Sequence, residues 1–401
     1  MPHSERPTSG QLRVALVCPY SLSRPGGVQG QVVGLARALD SRGGKVTVFA
    51  PLDGDGDAPT DIDLIPSGHS VSLPANGSIA PVTVSVRAVL RARKRLTTGG
   101  FDVVHIHEPF TPGLPYGLLL GRGVPPMVVT FHRSGSSFFY KVLRPLARRL
   151  AGKFAVRCAV SEAARATASR ALGGNFHVGF NGVEIDAFHG VEGWPSDRPT
   201  VLFLGRHEER KGLSFLLDAF SRLEGLSSGD RSTGGTGGAR LWIAGDGPET
   251  DRLRRRYPES GDIEWLGVLS EEDKVRRLLA ADVVCAPSLG GESFGMVLLE
   301  AMAANTVVVA SDIEGYRDAA RGHAVLVPPG DAPALAAALD AVLDGRAALG
   351  PPAPDGVDDG LVSRRDRWLD GAARRAGEFS MERLAAWYEG HYQAAVVRPS
   401  G

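Results

Sequence analysis

The stretch "GGESFGMVLLEAMAAN", Gly290 to Asn305, decides how the chain is read. It sets Glu292 between a glycine pair and a Ser-Phe-Gly turn. Glu300 follows eight residues later, among Val297, Leu298, Leu299, Ala301 and Met302. An unpaired carboxylate in such apolar company is costly to bury, so each acid should be bonded to something. On either side lie continuous β-branched runs, "DVVCAPS" and "TVVVASD". Apolar strands separated by a helix in this way belong to a parallel sheet covered on both faces.

The same alternation runs through the whole sequence. The first half holds "LRVALVCP", "KVTVFAP", "FDVVHIH", "PMVVTFH" and "KFAVRCAVS"; the second holds "PTVLFLGR", "ARLWIAG", "IEWLGVL", "DVVCAPS", "TVVVASD" and "AVLVPPG". The two sets part near "NGVEIDAFHGVEGWPSDRP", which has glycines, prolines and no helical period. This predicts an α/β chain of two facing Rossmann-like domains. The expected boundaries are 1–185, 186–375, and a C-terminal helix over 376–401 that crosses back to the first domain. Ser270 with Asp273 resembles a capping box, and Asp331 is an N-cap candidate for "APALAAALDAVL". "LSSGDRSTGGTGG" and "LGPPAPDGVDDG" read as surface loops. "DGDGD" (53–57) lacks the glycine and glutamate spacing of a calcium loop and reads as a solvated turn.

Composition narrows the classes. A chain of 401 residues with 45 basic and 45 acidic side chains has no net charge to attract nucleic acid, and no nucleic-acid partner is expected. The polar "MPHSERPTSG" has no apolar core of a signal peptide, and no run reaches the roughly 18 apolar residues of a membrane span. Cys18, Cys158 and Cys285 are scattered through strand-like runs, which suits packing in a reducing compartment rather than a metal site.

Three glycine or cation clusters follow strands. Gly26 and Gly27 precede an amphipathic helix, where bare backbone N–H groups can approach an anion or form a tight turn. "FLGRHEERKG" places Arg206, Arg210 and Lys211 at a strand's carboxyl end, where two or three cations suit a diphosphate. "IAGDGPET" has Gly245 and Gly247 but Thr250 in place of a third glycine, which argues against a nicotinamide dinucleotide site.

The order Gly-Gly turn, "HIHEP", "TFH", "NGVE", "FLGR…RKG", "AGDG" and "GGESFGMVLLEAMAA" resembles the retaining glycosyltransferases of family 4, which have the GT-B fold with an interdomain cleft. "CPYS…PGGVQ", "FDVVHIHEPF" and "CAPSLGGESFG" resemble more narrowly the actinobacterial phosphatidylinositol α-mannosyltransferases. The resemblance implies a nucleotide-sugar donor, GDP-mannose, and no required cofactor or protein-held metal. It gives Glu292 the hydroxyls of the donor sugar and Glu300 the ribose hydroxyls. Eight helical residues rise roughly 12 Å, comparable to the sugar-to-ribose reach. Backbone amides of Ser293, Phe294, Gly295 and Met296 can meet phosphate and sugar at a helix start. Arg206 and Lys211 are the expected clamp on leaving-group charge. His132, ending "PMVVTFH", resembles the family's histidine beside the transferred sugar. Leu269 and Glu271 align with the base-recognition stretch, where an acid can accept from guanine; Glu271 is equally a first-turn helix acid.

The implied acceptor-side residues are Gln29, Asn76, Ser78 and His132. "SVRAVLRARKRL" stacks Arg87, Arg91 and Arg95 with Lys94 on one helix face, flanked by Val86, Val89 and Leu90, and suits an anionic membrane surface. "YKVLRPLARRLAGKF" is a second basic helix. A peripheral enzyme on the inner face of the plasma membrane is expected. The chain departs from the family pattern at Ala75 (usually Tyr), Arg133 (a small hydroxyl residue), Glu184 (Asp) and Asn305 (Gly). A soluble inositol-type or natural-product acceptor, and a non-catalytic nucleotide-sugar-binding protein, are the alternatives.

Overall fold

A computed structural model describes residues 12–24, 26–54, 58–75, 78–133, 144–223, 238–292, 294–345, 349 and 360–397. The chain divides into two units, Met1–Gly182 with Met381–Gly401, and Val183–Ser380.

In the first unit β1 (Arg13–Val17), β2 (Lys45–Ala50), β3 (Leu64–Pro66), β6 (Val103–His107), β7 (Met127–Phe131), β8 (Phe154–Ala159) and β9 (His177–Val178) form one sheet in the order β3-β2-β1-β6-β7-β8-β9. Every pair in it is parallel. A separate antiparallel hairpin, β4 (Val71–Ala75) with β5 (Ser78–Val82), lies between β3 and β6 in sequence. The alternation of strands and helices does not announce this hairpin. The central strands are buried end to end because helices cover both faces, which is why they read as unbroken apolar runs. The helix α1 (Gly27–Ser41) covers one face with Val32, Leu35, Ala36 and Leu39. α2 (Val86–Thr98) buries Ala88, Ala92 and Leu96 on the other, where Val89 also packs.

In the second unit β10 (Thr200–Leu204), β11 (Arg240–Ala244), β12 (Ile263–Gly267), β13 (Val283–Ala286), β14 (Val307–Ser311) and β15 (Val325–Val327) pair in parallel as β12-β11-β10-β13-β14-β15. α3 (Glu271–Ala280) starts as its capping box predicts: Ser270 Oγ accepts from Asp273 N–H. Asp331 accepts from Ala334 N–H in the same way. α4 is Met296–Ala303. The last helix, α5 (Met381–Val397), belongs to the first unit, where Leu384, Tyr388 and Tyr392 join the core under α1.

Both sheets reverse strand order beside their first strand, between β1 and β6 and between β10 and β13. Ligands of doubly wound sheets bind outside the carboxyl ends of strands at such switch points. The three cysteines are buried and unpaired, and burial pushes each thiol upward, which makes them inert core atoms. Asn305 takes a left-handed φ of 59° just past α4. Asparagine is one of the few side chains that tolerate this conformation, so the departure from glycine keeps the helix end.

Candidate active site

At the switch point of the second unit, the loops after β10 and β13 hold one chain of ionic contacts. Arg206 Nε lies 3.0 Å from Glu208 Oε1, and Arg210 Nε donates to Glu208 Oε2 at 2.9 Å. Arg210 Nη1 then donates to Glu292 Oε1 at 2.8 Å, and Lys211 Nζ reaches the same oxygen at 2.7 Å. Arg206, Lys211 and Glu292 are thus brought together, with Glu208 and Arg210 between them. The arginines are about half exposed, whereas Glu292 is 14% and Lys211 20% exposed in their side chains. The arginine pairs, half open to water, add only about 0–1 kcal/mol each to stability. Three cations against two carboxylates leave the network net positive, which suits an incoming diphosphate more than it suits the fold.

Glycines shape these loops. Gly295 caps α4 with φ 71°, and a Cβ there would stand 2.9 Å from Tyr316 Cδ1. Gly245, φ 120°, would bring a Cβ to 1.9 Å from Gly205 O. Thr250, which replaces a dinucleotide-type glycine, instead closes the loop: its hydroxyl accepts from Gly247 N–H at 2.9 Å and meets His207 Nδ1 at 2.8 Å.

The helical spacing expected between Glu292 and Glu300 does not hold. α4 begins only at Met296, because Gly291 and Gly295 both take positive φ and the segment before them is loop. Glu300 therefore sits in the second turn while Glu292 lies outside the helix. Its partner is Lys274, whose Nζ donates at 3.2 Å; Lys274 also lies 2.5 Å from Glu271. Burial works against the Lys274 ammonium, but the Glu300 and Glu271 carboxylates outweigh it and hold its pKa above the ordinary value. Glu271 and Glu300 are so joined through a lysine that sequence reasoning missed, although "EEDK" puts it one turn after Glu271. Leu269 packs half-buried on the core, as do Phe294 and Met296. Ser293 lies outside the described residues.

In the first unit, His132 follows β7 and Glu108 follows β6. Glu108 has a left-handed φ of 48° and accepts at Oε1 from the backbone N–H of His132 (2.7 Å) and of Arg133 (2.9 Å). His132 Nε2 lies 2.8 Å from His107 Nδ1. Burial pushes the His132 imidazole down to about 4, with the Asn181 carboxamide acting the other way. Deeper in, His105 joins Tyr392 Oη at 2.8 Å and Thr130 Oγ1 at 2.7 Å, and Thr130 meets Tyr388 Oη at 2.9 Å. These bonds tie α5 to the sheet.

Gly26 and Gly27 begin α1, Gly26 in extended backbone; a Cβ at Gly27 would meet nothing within 4 Å. Gln29 is buried, and its carboxamide donates to the carbonyls of Ser21 and Arg24, so it braces the loop before α1. Asn76 lies outside the described residues; Ser78 starts β5, and its side chain is not described. Arg87, Arg91, Lys94 and Arg95 are exposed on α2, as are Val86 and Leu90. Val89, expected on that apolar flank, instead packs inward on the core, one turn from Ala92. No described helix is long and apolar enough to cross a membrane, and no cluster of metal-type ligands occurs among the described residues.

Two parallel-sheet α/β units of this topology have the architecture of the GT-B fold, and cations and acids gather at the switch point where such sheets bind ligands. Residues 25–187 match the family "Glycosyltransferase Family 4", and residues 198–345 match "Glycosyl transferases group 1". The phosphatidyl-myo-inositol mannosyltransferase of Mycobacterium leprae is 40% identical over 346 residues, covering 83% of this chain and 87% of that protein. Its namesake in Mycolicibacterium smegmatis is 39% identical over 349 residues, 83% of this chain and 85% of the relative. The crystal structure of Anabaena HepE with UDP and glucose is similar with a TM-score of 0.67 at 18% identity, covering 96% of this chain and 100% of that one; it supports the fold. The chain belongs to glycosyltransferase family 4, and it is an enzyme of glycosyl transfer.

Proposed function

We propose that the protein transfers mannose from GDP-mannose to phosphatidylinositol with retention of the α configuration, at the inner face of the plasma membrane. The name shared by relatives at about 40% identity, taken with the Arg206–Glu208–Arg210–Glu292–Lys211 network, carries the reading. The second unit binds the donor. Arg206 and Lys211 take the charge that builds on the departing diphosphate as the anomeric carbon becomes oxocarbenium-like, and being already in place they need little reorganisation. Glu292 bonds the sugar hydroxyls and Glu300 the ribose hydroxyls. The first unit contributes His132 to the transferred hexose and takes the acceptor.

The exposed face of α2 supports a membrane reading. Arg87, Arg91, Lys94 and Arg95 at about 1 kcal/mol each near an anionic leaflet give reversible docking, with Val86 and Leu90 adding apolar contact. Like charges on one face otherwise weaken the helix.

The test offers a panel of GDP- and UDP-sugars with phosphatidylinositol vesicles or free inositol phosphate, with products read by mass spectrometry. Phosphatidylinositol gaining one hexose from GDP-mannose is expected, with vesicle co-sedimentation lost when the four α2 cations become alanine. Turnover on soluble inositol phosphate alone, or wild-type indifference to anionic vesicles, contradicts the lipid acceptor.

A further inference from the structure

His107, the last residue of β6, and Glu108 just after it both grip His132, by different means. Glu108 is 6% exposed and collects the peptide N–H groups of His132 and Arg133 on one carboxylate oxygen. To do so it adopts φ 48°, a conformation uncommon for a non-glycine residue. Its own N–H donates to Thr130 O, so the clamp grows directly out of the β6–β7 ladder. A packing role alone does not account for a buried acid in left-handed backbone, and strain of this kind gathers where a site must be held in place.

His107 acts on the ring. It is 2% exposed, its imidazole lies 25° from parallel to that of His132, and Nδ1 stands 2.8 Å from His132 Nε2. One of those two nitrogens carries the proton between them. The far nitrogen of His107, Nε2, is buried and has no hydrogen-bond partner among the described residues. A buried N–H without an acceptor is rarer than a buried lone pair without a donor, so the His107 proton belongs on Nδ1. His107 then donates to His132 Nε2, and neutral His132 must carry its own proton on Nδ1. Burial lowers the pKa of both rings, which keeps them neutral.

We propose that His107 and Glu108 are positioning residues for His132: Glu108 fixes its backbone and His107 fixes its tautomer, so that the ring meets an oxygen of the transferred sugar with Nδ1–H. The role rests on the reading that His132 adjoins that sugar.

Long-range proton–nitrogen correlation of the nitrogen-15-labelled full chain, with His132 assigned through His132→Gln, reads the tautomer directly. An Nδ1–H pattern at His132, converting to Nε2–H or an average in His107→Phe, is expected; Nε2–H in the wild type overturns the proposal. Kinetics supply the second readout. Glu108→Gly keeps the backbone conformation, because glycine adopts it freely, and removes the carboxylate that clamps His132. A fall in kcat of about 100-fold with little change in KM for GDP-mannose is expected, since loosening a reacting group by an ångström has that effect. Glu108→Gln, which keeps a carbonyl oxygen for both N–H groups, should recover most of the loss. Unchanged kcat in Glu108→Gly refutes the positioning role while His132→Ala remains impaired. Unchanged kcat in His132→Ala removes the functional reading of His132 itself.

Discussion

Removing the Lys211 ammonium is the sharpest perturbation of the donor site. Its Nζ lies 2.7 Å from Glu292 Oε1 and is about one-fifth exposed, beside Arg210 on the same oxygen. In Lys211→Ala, Glu292 keeps Arg210, so the loop after β13 stays held and the stability change is about 1 kcal/mol or less. The leaving diphosphate, however, loses one prearranged cation. A unit charge about 4 Å away is worth about 4 kcal/mol at the effective dielectric of a protein surface. Deleting one prearranged donor of this sort raises the barrier by about 2.7–4 kcal/mol. At 1.36 kcal/mol per decade this is a loss of about 100- to 1,000-fold in kcat. Because the bound diphosphate is already anionic and gains further charge as it departs, kcat should fall and kcat/KM should fall further. Steady-state release of GDP with saturating acceptor measures both. A variant that keeps kcat within about tenfold, or loses only KM, refutes the clamp.

Lys274→Met should release Glu300 and raise KM for the donor about tenfold, roughly 1.4 kcal/mol, with kcat little changed; an unaltered KM in initial-rate assays contradicts the pairing. Asn305→Gly should leave thermal stability nearly unchanged. Asn305→Val, forced into φ 59°, should lose about 1–2 kcal/mol, read as a drop in Tm. Stability should also fall on acidification. His132 is neutral in the fold until about pH 4, whereas an unfolded histidine binds its proton near 6.5, so the unfolded state holds more protons between those values. His105 and His107 are lowered in the same direction by burial, and Glu108, raised by burial, opposes them with one group. The contribution is therefore complete above about pH 6.5 and lost as pH falls toward 4, at up to about 1.4 kcal/mol per unit for each such histidine. A Tm that stays flat from pH 7.5 to 5 contradicts this.

The sheets were legible because parallel strands buried on both faces have no polar alternation to disguise them; all eleven expected strand runs contain a strand. The ionic network after β10 and β13 was legible in part. Arg206, Lys211 and Glu292 advertise themselves by standing at strand ends, but Glu208, which joins the arginines, reads in sequence as one acid among several. The hairpin β4–β5 was hidden by its prolines and glycine. The roles of His107 and Glu108 lay beyond reach for a different reason. Both depend on which residue of β6 lies opposite which residue of β7, here His107 opposite Thr130, and on one positive φ. Register and backbone sign leave no trace in a single sequence. The error over Glu292 and Glu300 came from extending the helix back through Gly295, whose left-handed backbone caps its start.

Titration calorimetry with GDP-mannose puts the donor-site claim to its most direct test. Wild type should bind, Arg206→Ala, Lys211→Ala and Glu300→Ala should each weaken binding by about tenfold or more, and Glu108→Gly should bind as the wild type does. Equal affinity across all of these, or a wild type that ignores GDP-mannose, would mean that the acids and cations after β10 and β13 serve something other than a nucleotide sugar.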